Sequence, residues 1–529
     1  MGKPMPLFRP WVPEWLIKLV LFIVLLPSVV LFFLPLSNIN AAAGYNGIEP
    51  ADVQFMVVVF YAGYASFFSL EQRFFRFLAT KEYFFLITFV QLITSFICFS
   101  TSHLLLLLVC RFIQGMAFTA TVNLSLALIF NRLHGERARE IGYAVFFGML
   151  ICIIPFNNFV TADVIDAFNF NTLYKCAIFS YIPSLLLLGI TMNNIRLNAK
   201  FPLYQLDWGS FVIYATILCL FGYMMVYGQE YYWLEDPRMR LSALLTIMLL
   251  VIYVLRQLHM KRPYFNLKVF SYRNFKVGAL LLFILYICRF TSNITNAYFA
   301  TVLGFDPLHI SHLNLYNIAG IVVSVIVSCA MVLQQHPMRR IWSLGFGMLL
   351  IYHVWMIFLF NTQANESIFT IPLFLHGMGV GMLMTPTIVF VVTSAPPYLG
   401  STAAGICLLV RYAGFSVSIA LINYFDLSGK RRHYNAFQDT ITRLNPLLKA
   451  RLIANKQMLI AHGAAPDHAA RLSNRLFLRS VNGQGQIRFA MDYFEMISCM
   501  LILTLLLIFL FPYLNKTVMY LRKGLPAPF

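Results

Sequence analysis

Three arginines lie deep inside apolar stretches of the chain: Arg111, Arg289 and Arg411. A guanidinium near the centre of a bilayer costs about 2.5–3.5 kcal/mol on insertion scales, so each needs a partner, a wet cavity or an anionic ligand. The ordinary partner is a carboxylate on a facing helix, and no Asp or Glu falls near mid-stretch. Glu71, Asp163, Asp207, Asp492 and Glu495 all lie towards the ends, where a carboxylate can face lipid headgroups. A bound anion would satisfy the arginines through charge-assisted hydrogen bonds. So would helix-end carbonyls, or polar neighbours such as Thr291, Asn293, Asn296 and Tyr412. The residues alone leave both readings open. Proton coupling would need a deep group that changes charge, and the deep candidates are His353 and His376. His376 precedes the run Gly377-Met378-Gly379-Val380-Gly381; a histidine satisfied by a neighbouring helix is the plainer account of it. Asn38, Asn40, Asn157 and Asn158 add amides to the candidate binding or coupling set.

The elements that must position these groups are set by solvent. Of the 529 residues, 60% are hydrophobic and only 11% charged, against roughly a quarter charged in a soluble globular protein. The apolar stretches are long enough for the ~20 residues of helix that cross a hydrocarbon core. They lack the period-2 alternation of a barrel strand, so they predict helices, the form that satisfies its own backbone in lipid. Fourteen such spans are expected, centred near residues 26, 61, 91, 117, 150, 183, 217, 247, 287, 322, 351, 380, 412 and 506. Trp15 to Leu36 has no small-residue cleavage site and is expected to be a retained first span. The nine cysteines all fall inside apolar runs without a CxxC pair, which suggests neither disulfides nor a metal site.

Short connections alternate in charge. Arg73/Arg76/Lys81, Arg132/Arg137/Arg139, Arg196/Lys200, the cluster Arg256 to Arg273 and Arg339/Arg340 lie on one side, with Lys3, Arg9, Arg522 and Lys523. The positive-inside rule makes that side, and both termini, cytoplasmic. The formal charge of +19 is thereby explained by topology, with no call for nucleic acid. Residues 427–488, between the last two spans, hold 11 Lys or Arg against Asp439 and Asp467, yet parity places them outside. The apolar spacing of Ala436 to His462 and Pro466 to Leu478 predicts a helical hairpin broken at Gly463-Ala464-Ala465-Pro466. Such a basic hairpin suits a lipid surface or a partner protein, and equally a solvated connector.

The fourth span carries Arg111-Phe112-Ile113-Gln114-Gly115, which resembles the RxxQG motif of the major facilitator superfamily. Pro50-Ala51-Asp52-Val53-Gln54-Phe55, Leu303-Gly304-Phe305-Asp306-Pro307-Leu308 and Ala395-Pro396-Pro397 with Gly400, Gly405, Arg411, Gly414 and Ala420 fall in the order seen in its 14-span drug:proton antiporter-2 subfamily, the EmrB/QacA-like exporters. The resemblance covers nearly the whole chain. It implies two six-helix bundles, residues 1–200 and 263–529, with two additional spans at 201–262 and the external hairpin at 427–488. It also implies a gating loop between spans 2 and 3, here Glu71, Arg73 and Arg76, in which Glu71 stands where the family has Asp and the glycines are missing. The span-5 antiporter motif is reduced to Ile154-Pro155-Phe156-Asn157-Asn158, and the carboxylate common in span 1 is absent from Leu34 to Asn40.

What this implies is a secondary transporter in an inner cell membrane, exporting an amphipathic, anionic small molecule or drug by alternating access, with proton coupling open. Family members with periplasmic adaptor proteins suggest such a partner by analogy. No phosphate-binding loop and no cofactor motif is present, so neither ATP nor a cofactor is expected as direct energy source or reagent. The alternatives are a transporter-derived sensor or assembly subunit and a membrane-embedded transferase. His433 and His468 lack a paired acid at catalytic spacing, so catalysis is not expected.

Overall fold

The structure is a computed structural model and describes residues 7–75, 77–132, 138–196, 206–442 and 444–510. Among them, fourteen helices are long and apolar enough to cross a membrane. They are span 1 (Glu14–Ser37), 2 (Pro50–Glu71), 3 (Thr80–Ser100), 4 (Leu104–Ile129), 5 (Ile141–Ile165), 6 (Thr172–Thr191), 7 (Trp208–Tyr227), 8 (Pro237–His259), 9 (Arg273–Thr301), 10 (Pro307–Leu333), 11 (Met338–Leu359), 12 (Glu366–Thr393), 13 (Pro397–Asp439) and 14 (Pro466–Leu510). Each contains the centre expected from hydropathy.

Spans 1 to 6 pack on one another, and spans 9 to 14 do the same. The two groups meet where span 5 lies against spans 10 and 12 and span 2 against span 13. Helices in lipid gain little from burying apolar surface, so close association depends on small residues. Gly63 and Gly115 bring spans 2 and 4 together so tightly that a Cβ on either would collide with the backbone carbonyl of Phe112 or Phe60. Gly320 and Gly377 do the same for spans 10 and 12, against the carbonyls of Phe374 and Asn317. The second and fourth helices of each six-helix group therefore share one packing device.

Spans 7 and 8 stand outside this pair. Span 7 packs on spans 2 and 13, and span 8 leans on span 7 with Leu241, Leu244 and Ile247 exposed, as a lipid-facing helix requires. At the ends away from their connection, Asp207 accepts a hydrogen bond from Ser210 N and pairs with Arg256 at 2.9 Å. Burial pushes the Asp207 carboxyl up, but the bonds from Ser210 and Arg256 outweigh it and hold the group below the usual carboxylate range.

The helix of span 13 runs unbroken over Gly400–Thr440 and that of span 14 over Pro466–Leu510. At ~1.5 Å per residue these are about 60 and 70 Å long, twice a ~30 Å hydrocarbon core. Between them a third helix, Pro446–Ala461, packs back onto the span-14 helix, with Ser473 Oγ donating to Leu452 O at 2.9 Å. Gly463, at φ 90°, makes the turn into Pro466. The single helix expected over Ala436 to His462 is interrupted at 441–445, because Asn445 caps a new helix by accepting from Leu447 N and Leu448 N. Short helix Ile39–Asn46, after span 1, was not legible in the hydropathy.

Candidate functional site

A proline inside a helix cannot donate to the carbonyl four residues earlier, and in lipid that carbonyl must find another donor. Span 1 contains Pro27 and Pro35. Ile23 O, released by Pro27, accepts from Ser184 Oγ of span 6 at 3.0 Å. Leu31 O, released by Pro35, accepts from Arg111 Nη1 at 2.9 Å, and Phe32 O accepts from Arg111 Nη2 at 2.7 Å. Gln114 Oε1 takes a further Arg111 hydrogen bond at 3.0 Å, and the guanidinium lies 4.5 Å from the Phe60 ring centroid. Asn157 Nδ2 donates to Val30 O at 3.0 Å, while Asn38 Nδ2 donates to Thr161 Oγ1 at 2.8 Å. Arg111, Gln114, Asn157 and Asn38 thus form one net that pins spans 4 and 5 to the bent span 1. Arg111 is fully buried there. Asn40 lies exposed on the short helix beyond, away from this net.

Arg289 and Arg411 are arranged differently. Span 9 is not one helix: it stops at Arg289 and restarts at Ser292. Discontinuous helices at mid-membrane are a recurring device of transporter binding sites, because they leave polar backbone facing a cavity. Arg289 is 5% exposed, and its Nη2 reaches Leu150 O and Ile151 O only at 3.4 Å; Ile151 O is the carbonyl that Pro155 releases in span 5. Arg411, 2% exposed, donates from Nε to Tyr286 Oη at 2.8 Å. Both guanidiniums lie against the Tyr286 ring, at 5.9 and 5.8 Å from its centroid. Among the described residues, neither is ion-paired to a carboxylate. Tyr61 and Tyr64 of span 2, stacked at 5.8 Å, and Phe415 of span 13 complete an aromatic floor where the two helix groups meet.

His376 and Asn158 join Arg289 at this meeting of the groups. They line a small cavity of about 30 Å³ with Asn296, Asn314 and Asn317. Asn317 Nδ2 lies 2.7 Å from His376 Nδ1, and His376 is 3% exposed. His353, the other deep histidine, is satisfied on both sides: its Nδ1 contacts Leu349 O at 2.7 Å and its Nε2 contacts Thr291 Oγ1 at 3.0 Å. Two larger cavities, of about 710 and 560 Å³, are apolar grooves between helices; the first lies among spans 2, 4, 7 and 8, the second between spans 5 and 10.

Glu71 does not face headgroups. The second helix continues to Phe75, so Glu71 is 2% exposed, accepting from Tyr83 Oη at 3.1 Å and Asn123 Nδ2 at 2.8 Å. All three residues belong to spans 2 to 4. Arg76 and the side chain of Arg73 lie outside the described residues. Tyr286, Asn314 and Asn317 were not singled out from sequence, although two amides three residues apart in an otherwise apolar span put both on one inward face.

No protein-family model matches the chain. It is 21% identical over 435 residues to the colistin resistance protein EmrB of Acinetobacter baumannii, which covers 81% of this chain and 83% of that one. It is 19% identical over 369 residues to the multidrug export protein EmrB of Escherichia coli K12, covering 68% and 69%. Among solved structures, a POT family transporter in complex with 5-aminolevulinic acid superposes with TM-score 0.63 at 14% identity, covering 96% of this chain and 99% of that one. A peptide transporter POT in complex with sulfate gives 0.55 at 12% identity, covering 94% and 95%. The chain therefore has the fold of these solved transporters, with fourteen helices fit to cross a membrane, and by sequence it is similar to EmrB export proteins. The similarity extends to the multidrug export protein EmrB of Haemophilus influenzae, 21% identical over 374 residues and covering 68% of this chain and 70% of that one.

Proposed function

We propose that the chain exports amphipathic organic anions or weak acids by alternating access, holding them where spans 5, 9, 10, 12 and 13 meet. The observation that carries this reading is the pair Arg289 and Arg411: two buried guanidiniums against one tyrosine ring, without a carboxylate partner among the described residues. An anion there removes the cost of two unpaired charges and gains charge-assisted hydrogen bonds. Arg111, whose two terminal nitrogens are already bonded at short range to span 1, serves the conformational change by keeping spans 1, 4 and 5 one rigid unit. Export, rather than uptake, is supported by the printed names of the EmrB relatives.

On this reading residues 1–200 and 263–529 rock against each other about the cleft, spans 7 and 8 are an insertion beside the seam, and both termini are cytoplasmic in an inner cell membrane. The hairpin is then external, placed to meet a periplasmic adaptor or anionic lipid through its basic residues. The test is flux in proteoliposomes: an anionic fluorophore should be carried faster than its quaternary-ammonium counterpart, and an imposed pH gradient reports whether protons drive it. Preference for the cation would overturn the proposal.

A further inference from the structure

The cavity at Arg289 and the apolar groove between spans 5 and 10 share a wall. Ile321 lines both, and the groove continues past Val145, Gly148, Met149, Val325 and Cys329. We propose that the two form one bipartite site for an amphipathic monocarboxylate, with the carboxylate in the cavity beside Arg289 and His376 and the alkyl or aryl tail along the groove. This deepens the export reading and rests on it for the identity of the cargo.

Size and donor chemistry support the head position. A space of about 30 Å³ takes a carboxylate, or a water or two in its absence, but not a ring system. Asn317 Nδ2 also lies 3.3 Å from Leu373 O, so this nitrogen is a donor and His376 Nδ1 must accept. The neutral imidazole then carries its proton on Nε2. That N–H is buried facing the Cys288 and Arg289 carbonyls at the break in span 9, without a hydrogen bond of good geometry to either. A weakly held donor, a cation with only two long hydrogen bonds and the amides of Asn158, Asn296 and Asn314 converge on one space whose lining includes no carboxylate. A carboxylate supplies what is missing: two acceptor oxygens and one negative charge.

The tail position follows from adjacency across Ile321. The groove holds about 560 Å³ bounded almost wholly by aliphatic side chains, and at Gly148 only the missing side chain leaves room: a Cβ there would already touch the nearest Val325 methyl, at 3.5 Å. Spans 5 and 10 belong to different helix groups, so a tail in this groove lies across the seam that must shear when the cleft opens.

Equilibrium binding of radiolabelled decanoate and decanol to the full-length transporter in nanodiscs tests the assignment. Decanoate should bind saturably and at least about tenfold more tightly than decanol, the value of one charge-assisted contact. His376→Leu should remove that advantage without weakening decanol, whereas His376→Gln, whose amide can reproduce the Nε2–H donor, should keep it. Gly148→Phe should weaken both probes about tenfold by filling the groove. Wild-type affinity for decanoate in a monodisperse His376→Leu protein would overturn the head site, and wild-type affinity in Gly148→Phe would assign the groove to bilayer lipid. Either failure is separable from failure of the export reading, which proteoliposome flux decides with the wild-type protein.

Discussion

Arg111 and Arg289 pose the same problem and meet opposite solutions. Both sit deep in spans, fully or almost fully buried, with no carboxylate partner among the described residues. Arg111 is answered at short range by two carbonyls of span 1, one of them released by Pro35, and by Gln114 and Phe60. Arg289 also points at a proline-released carbonyl, Ile151 O, but only at 3.4 Å, and its helix ends beside a polar cavity. A deep arginine is therefore not one signal. Whether it is structural or ligand-directed depends on how completely the protein has already satisfied it.

The sharpest break of this comparison is Arg111→Leu. It leaves the Leu31 and Phe32 carbonyls without donors in lipid and should cost about 2–4 kcal/mol, as two charged interhelical hydrogen bonds of ~1–2 kcal/mol each. Detergent-solubilised protein should lose its monodisperse peak on mild heating, with transport lost because folded protein is lost. A close second is Gly115→Val, which drives a side chain into the Phe60 carbonyl and separates spans 2 and 4; expression in the membrane should fall severalfold.

Arg289→Gln should do the reverse of Arg111→Leu. Its thermal midpoint should stay within a few degrees of wild type, while affinity for an anionic cargo drops about 10- to 100-fold, one to two charge-assisted contacts. An uncharged analogue should be bound unchanged. If Arg289→Gln instead unfolds the protein and Arg111→Leu spares it, the assignments must be exchanged.

Tyr286→Phe removes only the hydroxyl that receives Arg411 Nε. The expected loss in anion affinity is about 3- to 10-fold, because one hydrogen bond of ~1 kcal/mol disappears while the ring stays. The smallest effect belongs to Asp207→Asn. Arg256, its partner, is 41% exposed, so the pair contributes under about 1 kcal/mol. Because the folded Asp207 carboxyl lies below its ordinary range, that contribution is present above the unfolded pKa and disappears as pH falls through the lowered folded value. The Asn variant should match wild type in acid and differ slightly at neutral pH in a melting series.

Hydropathy alone made the spans legible, because length and composition decide membrane crossing and distant contacts do not. The RxxQG string led to Arg111 and Gln114 for the same reason: an i, i+3 pair on one helix is a local geometry. What the sequence could not tell was how Arg111, Arg289 and Arg411 sort into two environments. That sorting depends on Pro35 and Pro155 lying opposite particular arginines, a relation between residues some 80 and 140 positions apart. Glu71 was misread as headgroup-facing because an apolar average falls off before the helix does; the helix runs four residues past it. Asn40 looked equivalent to Asn38, yet the helix turns at Asn38 and leaves Asn40 on the far side.

The long helices of spans 13 and 14 have a mechanical consequence. Arg432 and His433 on one grip Asp492 on the other at 2.7 and 2.8 Å, clamping the two where they leave the packed core. The projecting hairpin is therefore an arm held rigidly to spans 13 and 14 at its base. On the alternating-access reading, a small rotation of spans 9 to 14 about the cleft becomes a large sweep at Gly463, in the manner of a pointer on a dial. Whatever touches the tip, lipid or protein, would then feel each cycle as a stroke, and load applied at the tip would act back on the cleft with the same leverage.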